Sequence, residues 1–290
     1  MDTTKHQKSA FWVLAKGLAT ILATFLATLG SVAYSAPKFS EYLNHAQLVQ
    51  TGRDSFVRNC SGCHGVNADG QGLAAPMLLP RPRNLVEGSF KFRSTPSGSL
   101  PTVADLIRTL NQGIPNSSMP SFNLHSEKEK LALALYVRSL RPDWEKNVGQ
   151  PYGFAPPPEG LLTKKGLFVE GAIRGKKLYM EACHTCHGNG GLGMGPGAEG
   201  LADQEGQPIR PANLTSTKFK SGRGAKDIFR AITTGLDGSP MPAFADTYSD
   251  PQRWDLVAYV LYLRGQTVNL MPRGIEPEET LKKLTQVGSK

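Results

Sequence analysis

The pentapeptide Cys60-Ser61-Gly62-Cys63-His64 recurs later in the chain as Cys183-His184-Thr185-Cys186-His187. Together the two copies contain all four cysteines of the 290-residue sequence. This pattern is the attachment signature of c-type haem, because two thiols three residues apart can add to the two vinyl groups of a porphyrin. The histidine that follows is then held under the ring, where its imidazole can bind the iron. The sequence therefore predicts two covalently bound haem c groups. The attachment cysteines and the proximal histidines are Cys60, Cys63, Cys183, Cys186, His64 and His187.

Two other roles for paired cysteines compete with haem. A single zinc site with four cysteines, or two short disulfides in an exported protein, would also use two Cys-x-x-Cys pairs. Zinc ribbons usually separate their pairs by about 15 to 20 residues, whereas the interval between Cys63 and Cys183 is far longer. Neither zinc nor a disulfide requires a histidine after each second cysteine. We therefore favour haem.

A tandem duplication surrounds the two motifs. Gly52 and Tyr136 correspond to Gly175 and Tyr259 at an offset of 123 residues, which is also the offset between the two Cys-x-x-Cys-His motifs. Such self-similarity predicts two copies of one structural unit. Amphipathic segments precede each haem motif and close each copy, and no window shows the alternation of a β-strand. The sequence therefore predicts an all-α fold with long Gly- and Pro-rich loops around each haem.

The sixth position of each iron separates electron transfer from catalysis. Met119 and Met241 are the candidates, because they occupy equivalent positions of the repeat and each is followed by proline. A thioether ligand favours Fe(II), raises the reduction potential and leaves no open position for oxygen or peroxide. Methionine is otherwise a common core filler. His125 and His45 could replace Met119, but neither has a counterpart in the second copy.

The repeat also contains Arg-Pro-x-Asn-Leu, at residues 81–85 and 210–214. The guanidinium groups of Arg81 and Arg210 could pair with haem propionates through their two-pronged donor geometry. An ordinary exposed arginine is the competing interpretation.

The N-terminal segment reads as an export element. Lysines precede an apolar stretch at 17–33, and Ala33-Tyr34-Ser35 resembles a small-x-small cleavage site. The segment is also long enough to cross a bilayer, which would anchor the protein in a membrane through residues 10–36. We divide the chain into a signal peptide or anchor, a first domain, a Pro-rich linker, a second domain and a polar tail. Their boundaries are 1–36, 40–145, 146–169, 170–266 and 267–290.

The formal net charge of +9 is spread along the chain without a basic run. Four haem propionates would lower it. This distribution argues against a nucleic-acid-binding protein and suits a mildly basic protein that docks on acidic partners. A mixed, solvated surface without a steering role is the alternative.

Taken together, Cys-x-x-Cys-His-Gly, the later Met-Pro and a closing helix with Tyr-Val-x-x-Leu-Arg resemble class I cytochrome c over nearly all of residues 45–265. Two such domains in one chain are similar to dihaem cytochromes of the c4 type and to haem-bearing subunits of cbb3-type oxidases and other respiratory complexes. The resemblance implies two tandem class I domains in which the first and last helices cross, with Gly52 against Tyr136 and Gly175 against Tyr259.

The resemblance also implies an electron-transfer role in the bacterial periplasm or at the periplasmic face of the inner membrane. The expected donor is a quinol-oxidising complex or a dehydrogenase, and the expected acceptor is a terminal oxidase or a reductase. The alternative is a dihaem enzyme, similar to a peroxidase or a thiosulfate dehydrogenase, in which one axial ligand is exchangeable. A subunit that only conducts electrons within a larger complex would differ in its partner rather than in its chemistry.

Overall fold

The computed structural model describes residues 45–265 and 276–287. Within those ranges the chain forms helices and isolated β-bridges but no β-strand, which confirms the all-α prediction. The predicted export or anchor segment, residues 1–36, lies outside the described residues. Among the helices of the described ranges, none is long and apolar enough to cross a membrane.

The first repeat contains five helices and a short 3₁₀ helix at Ala75–Met77 within the described ranges. The helices are α1 (His45–Asn59), α2 (Ser61–His64), α3 (Val103–Gln112), α4 (Glu127–Ser139) and α5 (Trp144–Asn147). Helix α1 packs along α4, and α3 also packs against α4. Long loops connect α2 to α3 and α3 to α4, as the glycine and proline content predicts.

The second repeat follows the same order and ends with an added helix. Its helices are α6 (Lys165–Ala182), α7 (His184–His187), α8 (Ala225–Thr234), α9 (Asp250–Leu263) and α10 (Pro277–Val287). Helix α6 packs along α9 as α1 packs along α4, and α10 covers part of α6. The two repeats therefore place their helices equivalently around the two Cys-x-x-Cys-His motifs.

In each repeat the helix before the haem motif crosses the closing helix at a glycine. Gly52 in α1 lies closest to Ala132 in α4 and also against Tyr136, as the resemblance implied. Gly175 in α6 lies against Asp255 in α9, one helical turn before the expected Tyr259. A Cβ at either glycine would overlap the backbone of the closing helix. The absence of a side chain therefore permits the close approach of the two helices.

The segment between the repeats is bound to both of them. The backbone N–H of Tyr152 donates to the carbonyl of Ser94 in the first repeat at 2.8 Å. The indole Nε1 of Trp254 in α9 donates to the carbonyl of Ala155 at 3.0 Å. Phe154, between these two contacts, packs against the core of the second repeat. The Pro-rich segment thus runs along both repeats and is not a free tether.

Candidate haem sites

A cavity of about 240 Å³ lies in the first repeat. Its walls include Cys60, Cys63, His64, Arg81 and Met119, so that five of the predicted site residues are brought together. Most of the other residues that line it are apolar. Two thiols, an imidazole and a thioether around one apolar cavity are the donor set that a covalently attached haem with His and Met ligands requires.

The haem motif is held in place by a single helical turn and the loop after it. Cys60, Cys63 and His64 fall at positions i, i+3 and i+4, which share one face of a helix. The backbone N–H of His64 donates to the carbonyl of Cys60 at 2.9 Å, and that of Gly72 donates to the carbonyl of Cys63 at 3.1 Å. A Cβ at Gly72 would collide with the backbone of Cys63. The loop after the motif therefore wraps closely around it.

Each proximal histidine is oriented by a backbone carbonyl. Nδ1 of His64 lies 2.9 Å from the carbonyl oxygen of Arg83, and Nδ1 of His187 lies 3.0 Å from that of Ala212. A carbonyl can only accept, so Nδ1 carries the proton in both rings. The lone pair of Nε2 is then free to bind a metal. Both rings are thus fixed in the tautomer that an iron ligand needs.

Burial also favours the neutral form of both rings. Desolvation lowers the pKa of His64 and of His187 below the ordinary value of 6.5, and the hydrogen bond to the backbone opposes this effect only in part. Burial likewise raises the pKa of the thiols of Cys60 and Cys183 to about 11. The imidazoles of His64 and His187 and the thiols of Cys60 and Cys183 therefore favour their neutral forms at physiological pH.

The two candidate methionines lie in loops of the same form. The backbone N–H of Ile114 donates to the carbonyl of Met119 at 3.0 Å, and that of Leu236 donates to the carbonyl of Met241 at 3.1 Å. The Met119 loop reaches the cavity that His64 lines. Met241 has the equivalent position in the sequence repeat, and its loop is closed by the equivalent hydrogen bond.

The repeated Arg-Pro-x-Asn-Leu motif has a role that the sequence did not reveal. Its third residue supplies the carbonyl that orients the proximal histidine, as described above. Its asparagine closes the turn: Oδ1 of Asn84 accepts from the backbone N–H of Val86 at 2.9 Å, and Oδ1 of Asn213 accepts from that of Thr215 at 2.9 Å. The Asn-Leu pair at the same place in both copies was the sequence signal that could have predicted this turn.

The arginines of this motif are both exposed. Arg81 lines the cavity of the first repeat. Arg210 takes the equivalent position in the second repeat. Their contact with propionates stays a prediction.

The competing ligands are placed elsewhere. Nδ1 of His125 lies 2.9 Å from Oε2 of Glu129, within hydrogen-bonding distance, just before α4. His45 is exposed at the beginning of α1. In the described part of the chain, no group of three or more His, Cys, Asp or Glu side chains is arranged to hold a metal ion. The two cysteine pairs therefore do not converge on a shared zinc site.

A residue of the second repeat also reaches the first cavity. Lys220 lines it together with Lys91. Sequence reasoning missed this residue, although Lys91-Phe92-Arg93-Ser94 aligns with Lys218-Phe219-Lys220-Ser221. The alignment identifies position 220 as the counterpart of Arg93, but it does not predict that the side chain of Lys220 lines the cavity of the other repeat.

Comparison with known proteins agrees with this arrangement. The family model described as cytochrome c matches residues 49–141, and the model described as cytochrome C oxidase, cbb3-type, subunit III matches residues 171–260. A solved chain from the reducing HAO-like protein complex of Kuenenia stuttgartiensis is 38% identical, with a TM-score of 0.66. The match covers 74% of this chain and 96% of that one. The chain belongs to the cytochrome c family.

Two curated relatives show the range of this family. The thiosulfate dehydrogenase of Psychrobacter arcticus is 24% identical over 71% of this cytochrome, which spans 55% of that protein. The cytochrome c subunit of the cytochrome bc1 complex of Corynebacterium diphtheriae is 27% identical over 73% of this cytochrome, which spans 66% of that protein. The cytochrome therefore covers a little over half to about two thirds of the length of these relatives.

The two cytochrome c domains bind two covalently attached c-type haems. The residues present suit this cofactor, since each domain has the two thiols, a histidine whose Nδ1 is held by a carbonyl, and a methionine in an equivalent loop. The tandem class I arrangement implied by the sequence is thus confirmed.

Proposed function

We propose that this cytochrome carries single electrons in a respiratory chain outside the bacterial cytoplasm, either as a free carrier or as the cytochrome subunit of a membrane complex. The observation that carries the proposal is the pairing of His64 and Met119 at one apolar cavity, repeated in the equivalent placement of His187 and Met241. When bound, haem supplies one-electron chemistry through its iron. The protein has to fix the ligands and exclude substrates.

We assign the site residues as follows. Cys60, Cys63, Cys183 and Cys186 attach the two haems. His64 with Met119, and His187 with Met241, are the axial pairs. Arg81 and Arg210 contact propionates. Because carbonyls orient the histidines and turns fix the methionines, the ligand geometry needs little rearrangement when the charge of the site changes.

The relatives support the proposed partners. The bc1 cytochrome c subunit and the cbb3-type family model support placement between a quinol-oxidising complex or dehydrogenase and a terminal oxidase or reductase. The proposed domains are residues 40–145 and 170–266, joined by the linker 146–169, with the periplasm or its membrane face as the location.

Optical spectroscopy of the oxidised holoprotein tests the ligand assignment. We expect a Met-to-iron charge-transfer band with the intensity of two haems. Met119→His and Met241→His should each remove half of that band and lower the potential of one haem, because a second histidine favours Fe(III) relative to methionine. Met77→Leu is the matched control, since Met77 is 80% exposed and does not line the cavity. A high-spin haem in the unmodified protein would contradict the assignment.

A second candidate is an enzyme of the thiosulfate dehydrogenase type. It is favoured by the Psychrobacter relative, whose name states that activity. Such an enzyme would need one haem with an exchangeable sixth ligand, as would a peroxidase-like enzyme. Mixing thiosulfate with the oxidised protein, with and without an artificial electron acceptor such as ferricyanide, separates the two functions. Rapid reduction of the haems with repeated turnover would favour the enzyme, and no reduction would favour the carrier.

A further inference from the structure

Arg93 is a completely buried residue of the first repeat that binds the second. Its Nη2 donates to Oδ1 of Asp237 at 2.7 Å and to the carbonyl of Thr234 at 2.8 Å. Within its own repeat, Nε donates to the carbonyl of Pro96 at 3.1 Å and Nη1 to that of Phe90 at 3.3 Å. The side chain has a relative exposure of 0%. All of its charge is therefore balanced by protein groups rather than by water.

Asp237 is held by the first repeat at both of its oxygens. Besides Arg93, Oδ1 accepts from Oγ of Ser97 at 2.7 Å, and Oδ2 accepts from the backbone N–H of Gly98 at 2.8 Å. Burial lowers the pKa of Arg93, and the charge of Asp237 opposes that effect. A buried guanidinium without its carboxylate is strongly unfavourable. The pair therefore resists separation.

Both ends of this contact adjoin a haem site. Asp237 lies in the Met241 loop. A hydrogen bond of 3.1 Å from the backbone N–H of Leu236 to the carbonyl of Met241 closes this loop. Arg93 directly follows residues 89–92, which line the first cavity. The contact thus joins the Met241 loop of one repeat to the cavity wall of the other.

The reverse contact is much weaker. In the sequence repeat, Lys220 stands in place of Arg93 and Pro115 stands in place of Asp237. The Met119 loop is joined to the second repeat by a hydrogen bond from Nδ2 of Asn116 to the carbonyl of Lys218, at 3.0 Å. The Met119 loop is therefore joined to the other repeat by a neutral hydrogen bond, where the Met241 loop has a buried ion pair.

We propose that Arg93 and Asp237 are positioning residues that make methionine ligation in the second domain depend on docking of the first. The inference rests on the proposed ligand Met241. For Met241 to leave the iron, its loop has to open, and opening moves Asp237 away from Arg93. The buried guanidinium then loses its carboxylate, so the ion pair holds the loop closed. The Met119 loop lacks this restraint and depends less on docking.

Competition with imidazole on the full-length oxidised holoprotein tests the proposal. Imidazole replaces methionine at the iron, and its binding is read as loss of the Met-to-iron band. Met119→His and Met241→His assign each half of the band to its haem. In Asp237→Asn we expect the affinity for imidazole at the second haem to rise at least tenfold, which corresponds to about 1.4 kcal/mol. The affinity at the first haem should not change.

Two variants serve as matched controls. Glu205→Gln removes another ion pair between the repeats, Arg83 with Glu205 at 2.8 Å, which is more exposed and lies outside both methionine loops. It should leave the affinity at the second haem unchanged. Asn116→Gly should affect the first haem alone, and by less than Asp237→Asn affects the second. Glycine accommodates the positive φ of 58° at this position.

The possible results are distinct. A selective rise at the second haem, absent in Glu205→Gln, supports the proposal. An equal rise at both haems, an equal effect of Glu205→Gln, or no effect at all overturns it. If Asp237→Asn does not fold, Ser97→Ala removes one hydrogen bond to the same carboxylate and should raise the second affinity alone, by a smaller factor. An unmodified protein whose second haem lacks the band overturns the ligand assignment, and this inference with it, before any variant is made.

Discussion

The first cavity is lined by side chains from both repeats, and among the described residues Lys220 is the one that comes from the second. It lies in the second repeat and lines the cavity of the first. The residue as a whole is exposed, and desolvation lowers the pKa of its ammonium group. A cation near an iron site favours the reduced state, because the added electron is attracted to it.

We therefore predict that Lys220→Gln lowers the reduction potential of the first haem. A unit charge near the cavity contributes on the order of 1 kcal/mol, which for one electron is a shift of tens of mV. Spectroelectrochemistry of the holoprotein measures it. Lys226→Gln removes the same charge from the exposed surface of α8 and should leave both potentials unchanged. An equal shift in the two variants would mean that only net charge matters.

The packing of helices depends on glycines at their crossings. A Cβ at Gly52 would overlap α4, whereas a Cβ at Gly166, near the start of α6, would meet nothing within 4 Å. We predict that Gly52→Ala destabilises the protein by about 1 to 3 kcal/mol. Gly166→Ala should stabilise it by up to about 1 kcal/mol, because alanine is the better helix former. Chemical denaturation of the two variants measures both effects, and equal effects would contradict the crossing geometry.

The residues at the start of α4 combine a helix cap with a contact to another helix. The Oγ of Ser126 accepts from the backbone N–H of Glu129 at 3.2 Å, as in a capping box. The Glu129 carboxylate instead accepts from Oγ of Ser55 in α1 at 2.8 Å and pairs with His125. These contacts, led by His125, lower the pKa of Glu129 below its ordinary value of 4.5. The carboxylate therefore joins two helices.

This shift sets the sign of a pH dependence. A carboxylate whose pKa is lowered by folding stabilises the protein at pH values above its ordinary pKa. It loses that contribution as the pH falls through the pKa of the folded state. We predict that Glu129→Gln lowers the melting temperature at neutral pH and that the difference from the unmodified protein shrinks below pH 4.5. Glu159→Gln, at an exposed glutamate outside the helices, should show no such trend. A difference that stays constant with pH would refute the role of the carboxylate.

For the whole molecule, the sequence predicted the parts that depend on periodicity and motif. The repeated Cys-x-x-Cys-His, the helices and the two Met-Pro loops are local patterns, and the structure places His64 and Met119 at one cavity. Contacts of backbone carbonyls could not be predicted in this way, because the identity of Arg83 or Ala212 does not matter to its carbonyl. The Arg93–Asp237 pair was also missed, since no local pattern relates residues so far apart.

The linker and the Arg93–Asp237 contact join the two repeats, so we expect the repeats to unfold together. The ring of Phe154 is edge-on to that of Phe229, with 6.2 Å between the ring centroids. The Cζ atom of Arg230 lies 5.3 Å from the centroid of the Phe154 ring. Calorimetry of the unmodified holoprotein should therefore give one transition whose calorimetric and van't Hoff enthalpies agree. Phe154→Ala removes an aromatic ring from this partly buried site, at a cost of about 2 to 4 kcal/mol.

Because Phe154 contacts the second repeat, its removal should weaken that repeat more than the first. We predict that the transition in Phe154→Ala broadens or splits, with the second haem losing its methionine band at the lower temperature. Tyr152→Phe keeps a ring in the same segment and should retain a single transition. Two separate transitions in the unmodified protein would mean that the linker and the contacts between the repeats contribute too little to couple them, and Met241 ligation would then be independent of the first domain as well.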